Sequence, residues 1–247
     1  MANDQTSSRN GFDKWQDGIN NAVGNARWNS WDCEIQGAVN EYNRHLAGTP
    51  GYLPLDWRII KAMIWVETGA NNTEWKTRPM QIGVPGDPGL ASLFSGVEGG
   101  QLIMPSSMKI RLTKESARSI PAHNIQAGTG YLLMRMANFE YRSVAAKDSR
   151  IYEVIVKPGD TLDRIAKHHG STIEIMKRLN PAAHILKPGQ TLEYQKGAIQ
   201  RVIKSWRHIS TTSIAQRYNG GGDPHYARKL DHALNLLRNG KESSCAQ

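Results

Sequence analysis

The sequence predicts an α+β protein: a mainly helical domain with a small hairpin, interrupted by a compact βααβ module. Apolar residues recur at three- and four-residue steps over 35–46, 56–69, 210–217 and 226–238, the spacing of one helix face. Between 151 and 196 the pattern changes to strand, helix, helix, strand, with the same Lys-Pro-Gly-x-Thr-Leu string near each end. The helical pattern then returns, so the module reads as an insertion, with segments 1–150, 151–196 and 197–247.

In the first segment, Ile35, Val39, Tyr42 and Leu46 mark an amphipathic helix. The next runs from Asp56, which can cap its start, to Gly69, which can stop it. Ile59, Ile60, Met63, Val66 and Glu67 share its apolar face. A carboxyl there is costly to ionise: apolar surroundings raise its pKa, and the negative end of the helix dipole adds to the effect. Such a group can stay protonated near neutral pH and donate a proton to a leaving oxygen. The alternative is a surface glutamate on a frayed last turn. Further on, Leu93-Phe94 and Leu102-Ile103-Met104 flank Gly-Val-Glu-Gly-Gly100, which predicts the hairpin within 90–105.

In the inserted segment, Tyr152–Val156 alternates as a strand, and Lys157-Pro-Gly-Asp-Thr-Leu162 turns into a helix containing Ile165 and Ala166. Ser171-Thr-Ile-Glu174 reads as a capping box for a second helix, which Asn180-Pro181 ends. Thr191–Tyr194 closes the module as a strand. The flanks, 142–150 and 195–197, read as linkers. Beyond them, Asn219-Gly-Gly-Gly-Asp-Pro224 separates the last two helices.

The order of motifs around Glu67 adds a resemblance. Glu67-Thr-Gly69, Arg78-Pro-Met-Gln-Ile-Gly83, Asn124-Ile-Gln-Ala-Gly128 and Ala215-Gln-Arg-Tyr-Asn-Gly-Gly221 resemble segments of the lysozyme-like lytic transglycosylases and goose-type lysozymes. The likeness covers about 55–140 and 205–238; Arg78-Pro79 departs from it, since many relatives carry small residues there. It implies that Glu67 is the acid of a muramidase, most simply a lytic transglycosylase cutting the bond between N-acetylmuramic acid and N-acetylglucosamine. Met80, Gln81 and Ile82 would line the cleft floor, and Tyr218 and Asn219 would return across it, the Tyr218 phenol bonding Glu67 or the substrate's acetamido group. A hydrolase that inverts would need a second carboxylate, for which Glu74 and Asp87 are the nominees. Met80 and Ile82 could equally be core, and Tyr218-Asn219 a helix stop.

The inserted segment resembles a LysM module through Tyr152-x-Val-x-x-Gly-Asp-Thr-Leu, Leu179-Asn-Pro181 and Leu186-Lys-Pro-Gly-Gln-Thr-Leu192. That resemblance implies a shallow groove for glycans containing N-acetylglucosamine. Gly159, Asp160, Thr161 and Leu162 would form one wall, and Ile185, Leu186 and Lys187 the other. Peptidoglycan glycan strands are then the expected partner. Chitin cleavage and a scaffold that binds without cutting are the alternatives.

Composition narrows the field. The 247 residues carry a net charge of +9, which suits an anionic partner. No nucleic-acid-binding signature accompanies that charge, and no run of residues could span a membrane. The eight histidines form no ligand pair, so neither metal nor cofactor is expected. Cys33 and Cys245 could close a large loop in an oxidising space or remain independent thiols. No signal peptide is evident at the amino terminus. Together with a wall substrate, this leads to the expectation of a protein made in the cytoplasm and acting in the periplasm or wall of a target bacterium. A type VI secretion effector fits that description, with a secretion-apparatus carrier and a cognate inhibitor as further partners.

Overall fold

The structure, a computed structural model, describes residues 11–240 and 245. In chain order the elements are α1 (Gly11–Asn20), α2 (Asp32–Leu46), α3 (Trp57–Glu67), a short 3₁₀ turn (Thr73–Lys76), α4 (Gly89–Ser95), α5 (Gly100–Ile103), α6 (Ser106–Arg111), α7 (Lys114–Ser119) and α8 (Pro121–Met136). They continue as β1 (Ala137–Ala145), β2 (Ile151–Ile155), α9 (Leu162–His168), α10 (Ile173–Leu179), β3 (Thr191–Gln195), β4 (Gly197–Trp206), α11 (Thr211–Arg217) and α12 (Tyr226–Asn239). Two compact units result: Met1–Asn138 with Ile203–Gln247, and Phe139–Val202. The inserted unit is thus wider than 151–196.

In the first unit α3 is central. Asp56 accepts from the Arg58 amide to cap it, and Gly69, at φ +66°, ends it by donating to the Ile64 carbonyl. Side chains all round it are buried, including Ile60, Ala62, Met63, Ile64 and Trp65. Even Lys61 is buried, and its ammonium meets Asp32 and Asn29 at 2.7 Å each. A buried charge without such partners would cost several kcal/mol. α3 packs on α2 and α12, while α8 packs on α2, α7 and α4. Cys33, near the start of α2, is joined to Cys245 by a disulfide with Cα atoms 5.4 Å apart. The sequence separation is 212, and closing so large a loop removes unfolded-state entropy worth roughly 5 kcal/mol in the chain-entropy model.

The hairpin expected within 90–105 is two short helices, α4 and α5. Leu90 and Leu93 are buried one turn apart, which a strand's alternation would not allow. Gly96 ends α4 at φ +73° and Gly99 leads into α5 at φ +94°, so these glycines serve as helix punctuation. The expected linkers also differ: 142–145 belongs to β1 and 197 begins β4, and the two strands pair. Most of their residues are half-buried or exposed, so no buried face imposes the alternation that reveals a strand in sequence.

In the second unit β2 and β3 pair antiparallel, with Tyr152 opposite Tyr194 and Val154 opposite Leu192. Val156, Ile165, Ala166, Met176, Ala183 and Leu192 form its core. The cap of α10 is Thr172, whose hydroxyl accepts from the Ile175 amide. Ser171, the expected cap, instead donates to the Gln195 carbonyl, because the turn places it beside β3. Asn180 secures the far end, accepting from the Glu193 amide and donating to the Glu193 and Met176 carbonyls.

Candidate functional site

Glu67 ends α3 at a cavity of about 240 Å³ whose other walls are Met80, Gln81, Ile82, Val84, Asp87, Tyr131, Tyr218 and Asn219. Residues named from three separate motifs therefore line one space. Burial pushes the Glu67 carboxyl up from 4.5 to about 7; Tyr226 opposes that shift, Asp87 and Asp223 reinforce it, and Lys229 opposes it. Near neutral pH such a group exchanges a proton readily in either direction.

The partner of Glu67 was missed in sequence. Tyr226 donates to Glu67 Oε1 at 2.5 Å across a separation of 159 residues. Tyr218, the expected partner, donates to the Met80 carbonyl at 2.8 Å. The reason is position: Tyr226 begins α12, which packs on α3, whereas Tyr218 follows α11 and reaches the loop opposite. Burial holds both phenols well above their ordinary range, so both remain neutral donors. No local motif marks Tyr226, since its partner lies far away in the chain.

The 80–82 loop is fixed from behind. The fully buried Asn124 accepts from the Met80 amide at 2.9 Å and donates to the carbonyls of Ile82 and Ala117 at 3.0 and 2.7 Å. Gly128, one turn further along α8, leaves room for Met80: a Cβ there would lie 2.6 Å from the Met80 Cβ. Asn124 and Gly128 thus have a joint structural task, to seat the loop. Thr68 adds a bond to the Pro79 carbonyl at 3.1 Å. So held, Gln81 takes φ +53°, the one positive value among described non-glycine residues. That conformation costs about 1–2 kcal/mol and persists where surrounding contacts enforce it. Met80 and Ile82 are both cavity wall and core, being 0 % and 3 % exposed.

The two nominees for a second carboxylate fare differently. Glu74 is paired with Arg78, 2.6 Å away, which holds its carboxyl below the usual range, and it is absent from the cavity lining. Asp87 lines the cavity, but its two oxygens accept from the Gly83 and Gly89 amides at 2.6 and 2.8 Å. Its carboxylate shapes the 83–89 loop.

In the second unit the two Lys-Pro-Gly-x strings make the same turn. At Lys157–Asp160, Gly159 has φ +83° and Asp160 Oδ2 accepts from the Lys157 amide. At Lys187–Gln190, Gly189 has φ +85° and Gln190 Oε1 accepts from the Lys187 amide. The turns lie side by side, since Val156 exchanges backbone hydrogen bonds with Gly189 and Gln190. Thr161 caps α9, Leu162 and Leu186 pack partly on the core, and Ile185 is 80 % exposed. The expected groove residues thus flank neighbouring turns, with Ile185 offered to solvent.

Residues 154–193 match the family model of the LysM domain. The chain therefore contains a LysM domain, a peptidoglycan-binding module that engages glycan chains and points to association with the cell wall. No curated protein and no solved structure matches the chain at a significant level. Among the described residues no helix is long and apolar enough to cross a membrane.

Proposed function

We propose that the first unit is a lysozyme-like muramidase, a lytic transglycosylase that cuts the β-1,4 bond between N-acetylmuramic acid and N-acetylglucosamine, and that the LysM domain holds the strand. The observation that carries this reading is Glu67: a carboxyl raised to about 7, fixed by one phenol, at a cavity whose other carboxylate is bound by two backbone amides.

In this mechanism protonated Glu67 donates its proton to the glycosidic oxygen as the bond from the muramic C1 to that oxygen breaks. Positive charge develops at C1. The carboxylate then accepts the proton of the muramic 6-hydroxyl as its oxygen attacks C1, closing a 1,6-anhydro ring. No water is consumed, and Glu67 ends protonated as it began. Tyr226 keeps the carboxyl aimed, and its hydrogen bond strengthens when Glu67 becomes anionic. Gln81, Tyr218 and Asn219 supply polar groups for the sugar amide and hydroxyls. The disulfide suits an oxidising compartment such as the one where peptidoglycan lies. In this reading the enzyme acts on a target bacterium as a secreted effector, and a cognate inhibitor would work by filling the Glu67 cavity.

A hydrolytic lysozyme is the second reading, favoured by the place of Asp87 in the same cavity. Mass spectrometry of muropeptides released from purified peptidoglycan separates the two. Anhydro ends, lighter by one water and absent with Glu67→Gln, support the transglycosylase; reducing ends make the enzyme a lysozyme. No soluble product, with binding intact, leaves a scaffold.

A further inference from the structure

A second hollow, of about 630 Å³, lies in the LysM unit between β2 and α9; it meets the expected groove at Asp160 and shares Lys157 with the first turn, and none of the other expected groove residues lines it. Glu153, Lys157, Asp160, Arg164, His168 and His169 are its polar lining. Part of this set has structural work. Arg164 donates to the Gly159 carbonyl, Asp160 accepts from the Lys157 amide, and the His169 ring lies 4.6 Å from that of Tyr194.

Two charges do not. Glu153 and Lys157 carry opposite charges, both line the hollow and both are exposed, yet among the described residues no ion pair joins them to each other or to another side chain. Such an arrangement is complementary to a ligand that itself carries both signs. Peptidoglycan differs from a bare glycan in this respect: its muramic acids bear short peptides with free carboxylates and an amine.

We propose that this hollow is a subsite for the peptide branch of the strand, with a carboxylate of the peptide at Lys157 and its amine at Glu153. It rests on the reading that the adjoining turns hold the sugar, and it adds a preference: stem-bearing strands over chitin or stripped glycan. The shared residue Lys157 links the two, because its backbone amide closes the sugar-side turn and the same residue lines the hollow.

The test uses the full chain carrying Glu67→Gln, so that strands stay intact. Its affinity is measured for solubilised peptidoglycan strands of matched length, with stems present or removed by an amidase. Exposed charge pairs are each worth a few-fold in affinity, so stem-bearing strands are expected to bind about three- to tenfold more tightly. Adding Glu153→Gln and Lys157→Gln should reduce that ratio to near one while leaving the affinity for stripped strands within about twofold, which also reports an intact fold. Equal binding of the two strands by the parent protein overturns the peptide subsite alone. An equal loss on both strands in the variant also overturns it, because the two residues then belong to the sugar groove. Failure to bind either strand removes the glycan reading itself.

Discussion

The Glu67 cavity and the LysM turns are built on opposite plans. The hydrogen bonds that join the C-terminal helices to the Glu67 cavity are long-range: Tyr226 comes from 159 residues away and Tyr218 reaches Met80 across 138, past an entire inserted domain. The LysM turns are local, each closed within four residues by its own Asp160 or Gln190. A local device leaves a compact signature, and 154–193 is the part of the chain that a family model matches. A distributed device leaves isolated residues whose spacing varies freely with whatever is inserted between them. The two regions should also fail differently, one through loss of alignment and the other through loss of a turn.

The largest effect should come from Glu67→Gln. Cleavage of peptidoglycan, followed by release of soluble muropeptides, should fall about a thousandfold or more, while binding to insoluble wall is unchanged. If binding falls equally, the two regions do not divide the labour.

Asn124→Ala comes next. It strands the Met80 amide and two buried carbonyls, so we expect a loss of about 2–4 kcal/mol in denaturant unfolding and roughly a hundredfold in kcat as the 80–82 loop shifts. An unaffected kcat would show that the loop's seat does not align the site.

Stability against pH provides a third measurement. The Glu67 carboxyl binds its proton more tightly folded, at about 7, than its ordinary value of 4.5. Its contribution to stability is therefore fully present below 4.5 and is lost as pH rises through 7. Glu67→Gln should match the parent at pH 4.5 and exceed it by about 2–3 kcal/mol at pH 8. Identical pH profiles would remove burial as the cause of the raised pKa.

Tyr226→Phe should lower kcat roughly tenfold by loosening Glu67. Because the hydrogen bond it removes holds the Glu67 pKa down, the alkaline limb of the activity profile should move to higher pH. A drop in rate with an unmoved limb would assign Tyr226 to packing alone. The smallest change belongs to the local site: Gly189→Ala meets no neighbour within 4 Å, so only its φ of +85° is strained. We expect about 1 kcal/mol of destabilisation, a two- to threefold loss of strand binding, and normal cleavage of small soluble fragments.

How much of this was legible in sequence follows the same division. α3 was readable because Asp56, Gly69 and the Ile60–Met63 spacing are local signals. The turns of the LysM domain were readable because proline and glycine at fixed offsets specify them. Met80–Ile82, Tyr218 and Asn219 could be named from motifs, although their meeting around one cavity depends on Asn124 and Gly128, whose task no propensity reveals. Tyr226 left no trace, since a tyrosine opening an amphipathic helix is ordinary core until its partner is known. Gly96 and Gly99 misled because the same residue serves hairpin turns and helix ends. β1 and β4 were hidden because neither has the alternately buried face that gives strands away.

The bond between Cys33 and Cys245 gives the protein one further property. A protease that cuts the backbone once anywhere between those positions, the LysM insertion included, leaves a single covalent molecule. The two pieces would migrate together on a gel until a thiol reductant separates them, and α3 and α12 would stay tethered after the nick. In a protease-rich setting, damage to an exposed loop then need not detach Tyr226 from Glu67.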